Sequence, residues 1–421
     1  MKWITLIVSL LPLVSAAPKQ KTPETFTERV VFTPPDNYTD PRVLYARTAQ
    51  FEDGTLLATW ENYSPEPPLV YFPIFQSTDN GYSWKEISRV QDTANGLGKP
   101  PRHKQHPVRV EPTTNTPGPP LGLRYQPFLH ILTSPLGGFP AGTVLLAGSS
   151  IPTNLSTTQI DLYASTNRGR TWSFISHIAA GGEAIPNNDK TPVWEPFLFR
   201  PDPSAPNSPL ICFYSDQRQN QTYGQKMVHQ TTTDLRRWGA VVDDVTSGVY
   251  TDRPGMPTVA ALPNGKFIMT YEHGGSTVLP GYQFPVHYKL VTDAERFGEV
   301  EGVPLRVAAD RYVPTGSPYV VWSAAGGVNG TVIVGAHSSG DVFVNTGLGE
   351  PGSEWRRVVT GVDNAYTRHL RVLNGGGKAG KGKGKKGGKG GEPQLLIMGA
   401  GQLPPSTTNK VTVSVMDIGD W

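Results

Sequence analysis

Disulfides, membrane-spanning segments and helical periodicity are all missing from this sequence. Cys212 is the single cysteine among 421 residues, which excludes an intramolecular disulfide and leaves a large core to hold the fold. It lies in the apolar run Leu210-Ile211-Cys212-Phe213-Tyr214, the setting of a buried, inert thiol rather than a nucleophile. No segment reaches the roughly 20 continuous apolar residues that a spanning helix requires, so no membrane association is expected. At the N-terminus Lys2 precedes an apolar run from Trp3 to Val14, followed by the small residues Ser15, Ala16 and Ala17. That pattern is expected to be a secretory signal over 1–17, with a mature chain, 18–421, that is secreted and extracellular. Five Asn-x-Ser/Thr sequons, beginning at Asn37, Asn62, Asn154, Asn220 and Asn329, fit an exported, glycosylated surface.

Net positive charge is also missing from the part that folds. The formal +3 includes Lys2 and six lysines within the glycine-rich tract Gly375 to Gly391; without them 31 basic residues face 35 acidic ones, a balance of −4. No basic face for nucleic acid is implied. The tract holds no apolar side chain larger than alanine, so it is expected to be a flexible insert at 375–391 outside the core. The nine histidines show no zinc-site spacing, and no metal or cofactor is expected.

What the chain does have is glycine, proline and short β-branched or aromatic runs, the composition of an all-β protein. The runs repeat. An apolar strand follows a glycine turn at Asp53-Gly54, Gly142, Asn264-Gly265 and Asn329-Gly330, and Leu210 to Tyr214 and Gln394 to Met398 complete six copies. Asn-Gly and Asp-Gly accept the positive φ of tight hairpins. A short segment precedes each copy, beginning near Tyr45, Tyr125, Trp194, Arg253, Ser317 and Tyr366, and a third strand follows each. Six copies of a four-strand unit predict one domain, a six-bladed β-propeller of four-stranded antiparallel blades. The last blade lacks an outer strand at the C-terminus, and Thr25 to Phe32 is expected to supply it and close the ring.

Two third strands run into hairpins of identical spacing, Ser77-Thr78-Asp79-Asn80-Gly81-Tyr82-Ser83-Trp84 and Ser165-Thr166-Asn167-Arg168-Gly169-Arg170-Thr171-Trp172. They resemble the Asp-box of sialidase-like propellers, with Asn167 in place of the aspartate in the second; Thr231 to Trp238 looks like a decayed third. The motif speaks for the fold and says almost nothing about chemistry.

In a meandering blade the start of strand one and the end of strand two open on the same face, whereas the Asp-box turn lies on the other. This sorts Arg47, Tyr125, Gln126, Glu195, Arg253, Ser317, Tyr366 and Arg368 into one funnel, with Glu61, Ser149, Asp216, Glu272 and His337 from the strand-two ends. Aromatic rings beside charged groups suit a sugar, and two carboxylates flanking a glycosidic bond can act as acid and nucleophile, or as acid and base with water. Glu195 and Glu272 come from adjacent blades and are the expected catalytic pair.

Several blocks in order resemble glycoside hydrolase family 93, the exo-α-L-arabinanases: Val193-Trp194-Glu195-Pro196-Phe197-Leu198, Tyr214-Ser215-Asp216-Gln217-Arg218, Arg253-Pro254-Gly255-Met256 and Tyr271-Glu272-His273-Gly274-Gly275, with weaker matches at Arg124 to Phe128 and Thr367 to Arg371. The resemblance implies a retaining enzyme that removes arabinobiose from the non-reducing end of linear α-1,5-L-arabinan, with Glu195 and Glu272 as catalytic residues and Trp194 and Tyr271 beside them in the substrate site. Pro196 offers no N–H to steady a carboxylate, which favours Glu195 as acid/base and Glu272 as nucleophile; the swapped assignment stays open. An arabinan substrate and a monomeric protein are expected.

Two other readings stay open. A sialidase would use a tyrosine nucleophile and three arginines, a role for Tyr366, Arg368, Arg47 and Arg253, but leaves two glutamates unexplained. A non-catalytic glycan-binding propeller has the same fold, since fold alone does not decide function.

Overall fold

The computed structural model of the protein describes residues 25–94, 120–374, 393–419 and 421. The expected signal at 1–17 and the lysine-glycine insert at 375–391 lie outside them. Strand β1 (Phe26–Phe32) and the 23 strands after it form six antiparallel four-stranded sheets. Blade 1 contains β2 (Val43–Gln50), β3 (Leu56–Asn62), β4 (Phe72–Ser77) and β5 (Lys85–Val90), and blade 2 contains β6 (Leu121–Ile131), β7 (Val144–Pro152), β8 (Thr158–Ser165) and β9 (Ser173–Gly181). Blade 3 runs through β10 (Val193–Phe199), β11 (Leu210–Asp216), β12 (Lys226–Thr232) and β13 (Val242–Val245). Blade 4 runs through β14 (Arg253–Ala261), β15 (Phe267–Gly274), β16 (Val286–Val291) and β17 (Val303–Pro304). Blade 5 has β18 (Tyr319–Ser323), β19 (Thr331–Ala336), β20 (Ser339–Asn345) and β21 (Arg356–Val358); blade 6 has β22 (His369–Leu373), β23 (Gln394–Gly399), β24 (Val411–Asp417) and, outermost, β1. The innermost strands touch in the order β2, β6, β10, β14, β18, β22 and back to β2, which makes the ring of a six-bladed propeller.

The second strands are buried on both faces, as in LLATWEN and LICFYSD, because each blade is sandwiched between two others. That is why they read as continuous apolar runs rather than alternating ones. Outer strands such as KEISRV are largely open to solvent on one side. The ring closes as the sequence predicts: β1 pairs antiparallel with β24, Phe26 opposite Val415 and Phe32 opposite Val411. Phe32 also stacks on Trp60 with ring centroids 5.4 Å apart and meets Phe75 at 5.9 Å, fastening the last blade to the first.

Both Asp-boxes brace the β4–β5 and β8–β9 turns. In the first, Gly81 N–H donates to Ser77 Oγ (2.9 Å), Ser83 N–H to Asp79 Oδ1 (2.9 Å) and Trp84 Nε1 to the Gly81 carbonyl (2.8 Å). In the second, Asn167 Oδ1 accepts from Thr171 N–H at the same 2.9 Å, so the amide replaces the carboxylate as acceptor. Cys212 is fully buried and burial pushes its thiol pKa up. Of the sequons, Asn37, Asn154 and Asn329 are exposed and Asn220 half-buried, but Asn62 is buried within β3 and presents no surface for a glycan.

Candidate active site

The funnel floor is built by one backbone device used repeatedly. In blades 1 to 4 the pairing of strands one and two slips by an extra residue, between Leu44 and Arg47, Tyr125 and Phe128, Trp194 and Phe197, and Gly255 and Thr258. At each slip one residue turns to positive φ: Tyr45 (57°), Gln126 (58°), Glu195 (62°) and Met256 (57°), and Ser317 (42°) does so at the entry to blade 5. Such bulges re-aim side chains beside functional sites. The last four of these residues precede prolines 127, 196, 257 and 318, which have no N–H for the ladder.

The same four residues turn their N–H towards the preceding blade, where a polar side chain accepts it. Gln126 N–H donates to Glu61 Oε1 (2.8 Å), Glu195 N–H to Gln126 Oε1 (3.0 Å), Met256 N–H to Glu195 Oε2 (2.8 Å) and Ser317 N–H to Glu272 Oε2 (2.7 Å). The site side chains and the backbone that carries them thus fix each other, blade by blade. Glu61 and Glu272 hold equivalent places, opposite Leu44 and Gly255 at the ends of β3 and β15.

The three carboxyl groups have different surroundings. Glu195, partly buried, accepts at Oε2 from both Ser215 Oγ (2.7 Å) and Met256 N–H (2.8 Å). Burial raises its pKa, while those two donors and the guanidinium groups of Arg253 and Arg47 pull it back. For Glu272 burial dominates and the negative charge of Glu195 adds to it, against one backbone donor and Arg253; its pKa is pushed up to about 8. Glu61, buried and bonded to Tyr63 Oη (2.7 Å), is raised to about 7 by burial. Arg253 spends its donors on amide oxygens of Asn188, Gln217 and Gln225 (2.7, 3.0 and 2.7 Å), so its charge stays available to the two glutamates. Beneath them a narrow throat is lined by Tyr45, Arg47, Phe128, Phe197, Met256 and Ser317. Tyr366 packs on the cluster of Leu44, Tyr45 and Met256, and burial, with the nearby negative charges of Glu272 and Glu195, raises its phenol well above the ordinary pKa.

The structure therefore brings together Glu195, Glu272, Glu61, Arg47, Arg253, Gln126, Ser317 and Tyr366, with Tyr125 beside Tyr63 at a centroid distance of 6.1 Å. Trp194 borders the group, its Nε1 donating to Gln217 Oε1 (2.9 Å), the oxygen that also accepts from Arg253. Three expected residues lie elsewhere. Tyr271 adjoins Glu272 in sequence and by strand alternation faces the other way, stacked on His287 (5.7 Å) in the core. Asp216 is taken up by Arg218 in a forked pair (2.7 Å). Arg368 points between blades 5 and 6, Nη1 donating to the Ser339 and Asp341 carbonyls (2.7 and 2.8 Å). Its displacement has a backbone cause: residues 366–368 contain no positive φ and β22 pairs with β23 without a slip. Without the extra residue the alternation shifts by one, and His369 packs edge-on to Tyr319 at 4.5 Å. His273 Nε2 lies 3.1 Å from Asp252 Oδ2.

Sequence reasoning missed Tyr45, Tyr63, Ser215 and Met256. Tyr45 was findable as the blade 1 counterpart of Glu195; Met256 contributes a backbone N–H, for which no side-chain signature exists.

No family model matches the chain, and no curated protein matches it. Solved structures do. A Penicillium chrysogenum α-L-arabinanase complexed with arabinobiose is 49% identical, with 94% of this chain and 99% of that one covered and a TM-score of 0.80. The family 93 α-L-arabinofuranosidase of Fusarium graminearum, in complex with arabinobiose, is 46% identical over 94% and 98% of the two chains, with a TM-score of 0.81. A Hadza microbial sialidase at 12% identity, covering 93% and 68%, with a TM-score of 0.54, shares the fold. Identity near one half across almost the full length of both chains, on this propeller, means that the chain is a glycoside hydrolase and belongs to glycoside hydrolase family 93.

Proposed function

We propose that the protein is a secreted, retaining exo-arabinanase that releases arabinobiose from the non-reducing end of linear α-1,5-L-arabinan. The observation that carries the reading is the contrast between Glu195 and Glu272: two carboxyl groups from adjacent blades at one funnel floor, one well supplied with donors and the other poorly. Arabinobiose bound to two relatives at 46–49% identity supports the product.

The contrast also assigns roles, and reverses the preference drawn from Pro196. Glu195, with two hydrogen bonds on one oxygen and two guanidinium groups nearby, is the group that ionises first and serves as nucleophile. Glu272, held at about 8, keeps its proton at neutral pH and serves as acid. In the first step Glu195 attacks the anomeric carbon while Glu272 protonates the departing glycosidic oxygen; the C–O bond breaks and an arabinobiosyl ester of Glu195 forms. In the second step ionised Glu272 takes a proton from water, whose oxygen attacks the same carbon and frees Glu195, with overall retention.

The test is product analysis on linear arabinan. Arabinobiose alone, first formed in the α configuration by NMR, is expected; a ladder of oligomers, an inverted anomer or no product would refute the reading. Glu195→Gln and Glu272→Gln should each lower kcat at least about a thousandfold with the melting transition retained.

A further inference from the structure

Exposed tyrosines are ordinary on a protein surface, but Tyr282 is held in an unusual way. It sits in the β15–β16 connection, on the funnel side of the blade that carries Glu272, with 54% of its surface open. Its hydroxyl is tethered to the Thr251 carbonyl (2.9 Å), and its ring meets Phe284 edge-on at 5.5 Å and 84°. The two glycines that follow Glu272-His273 make room for this pair. A Cβ on Gly274 would stand 2.4 Å from the Phe284 ring, and one on Gly275, whose φ is +84°, would stand 3.2 Å from Tyr282 Cε2. So the backbone is stripped bare to let both rings lie down on it, leaving Tyr282 fixed from below and open above. Tyr250, 43% exposed, is pinned similarly by its hydroxyl to the Asn188 and Asn220 carbonyls (3.0 and 2.9 Å). Arg253, which binds Asn188 Oδ1, lies beside both loops.

The roles proposed above decide which part of a substrate this rim meets. A general acid stands on the leaving-group side of the bond it breaks, so the departing polymer must run out over blade 4, past Glu272. Blades 1 and 2, on the other side of the floor, are latched together by the Glu66–Arg124 fork (both 2.9 Å) and the Tyr63–Tyr125 pair, the closed wall that an enzyme taking a short terminal unit needs.

We propose that Tyr282 is the platform on which the leaving-group portion of the arabinan chain stacks, so that this residue makes the enzyme prefer long chains to short ones. The inference rests on the exo-arabinanase reading. A rigid ring with its hydroxyl already satisfied offers a stacking face at little entropic cost. Because the leaving chain is gripped alike before and during bond cleavage, the effect belongs in KM and not in kcat.

The experiment compares arabinotriose, arabinohexaose and linear arabinan as substrates, and arabinobiose as a product inhibitor that reports only the two sugars on the Glu195 side. In the wild type KM should fall with chain length. Tyr282→Ala should raise KM for the polymer about five- to tenfold and flatten the length dependence, with kcat and the arabinobiose Ki moving less than about twofold. Tyr282→Phe should restore the length dependence. Tyr282→Leu, which keeps bulk over Gly275 and so protects folding, should fail as alanine does. An unaltered length dependence in the Ala and Leu variants would overturn the proposal, as would a Ki that rises in step with KM, since Tyr282 would then serve the nucleophile side. Wild-type enzyme that yields no arabinobiose defeats the functional reading itself, a result read before any variant is made.

Discussion

Glu195 and Glu272 are chemically identical side chains separated in behaviour by what donates to them. Glu195 receives a hydroxyl and an N–H at one oxygen, Glu272 a single N–H, and the charge on the first discourages ionisation of the second. The pH dependence follows with its sign. The profile of kcat/KM should fall on the acid side as Glu195 takes up a proton and on the alkaline side near pH 8 as Glu272 loses one, and Glu272→Gln should erase the alkaline limb alone. Stability carries the same signature. The Glu272 pKa rises from 4.5 to about 8, so its stabilising contribution is complete below the unfolded value and is lost as pH rises towards the folded one. The melting temperature of Glu272→Gln relative to wild type should therefore be higher at about pH 9 than at about pH 5, measurable by calorimetry at the two values. At this scale the sequence was informative where residue type marks a charged group, as at both glutamates and Arg253, whose charges act on one another at the funnel floor. It was misleading at Tyr271, whose adjacency to Glu272 in a regularly paired strand turns it to the opposite face.

The element that matters most is the bulged first strand. It converts a ladder N–H into a support for a carboxylate of the preceding blade, and it decides which side chains face the throat. Gln126 is the hinge of this device, accepting from Glu195 N–H and donating its own N–H to Glu61. Gln126→Leu should leave a buried N–H without a partner, costing about 1–3 kcal/mol, and should lower kcat as well because Glu195 loses its backbone anchor. Asp79→Ala, in the far-face turn, should cost a similar amount in urea unfolding while kcat per folded molecule stays at the wild-type value. Strand order, the glycine turns and the Asp-boxes were legible because turn chemistry is local. The bulges were not, because an extra residue in a strand leaves no mark beyond a proline, and so the unbulged first strand of blade 6 carries Arg368 away from the funnel.

For the whole molecule, closure is the controlling feature, since the backbone at Gln126, Glu195, Met256 and Ser317 is held by the neighbouring blade around the ring. The first and last parts of the described chain meet at β1 and β24, and Phe32 is the ring that ties this seam to blade 1. Phe32→Ala should destabilise the protein by about 3 kcal/mol, seen as an earlier urea midpoint, although the residue lies far in sequence from any catalytic group. Closure by the N-terminal run was legible from counting strands; the interlocking of blades through N–H groups and carboxylates was not, because it depends on which residues face each other across blades.

Chemical rescue would test the division of labour most directly. With an activated aryl arabinobioside and added azide, Glu272→Ala should regain turnover and yield an arabinobiosyl azide of retained configuration, because Glu195 still forms its ester and azide replaces water. Glu195→Ala should yield the inverted azide by direct attack. The opposite pair of configurations would mean that the two glutamates have been assigned each other's roles.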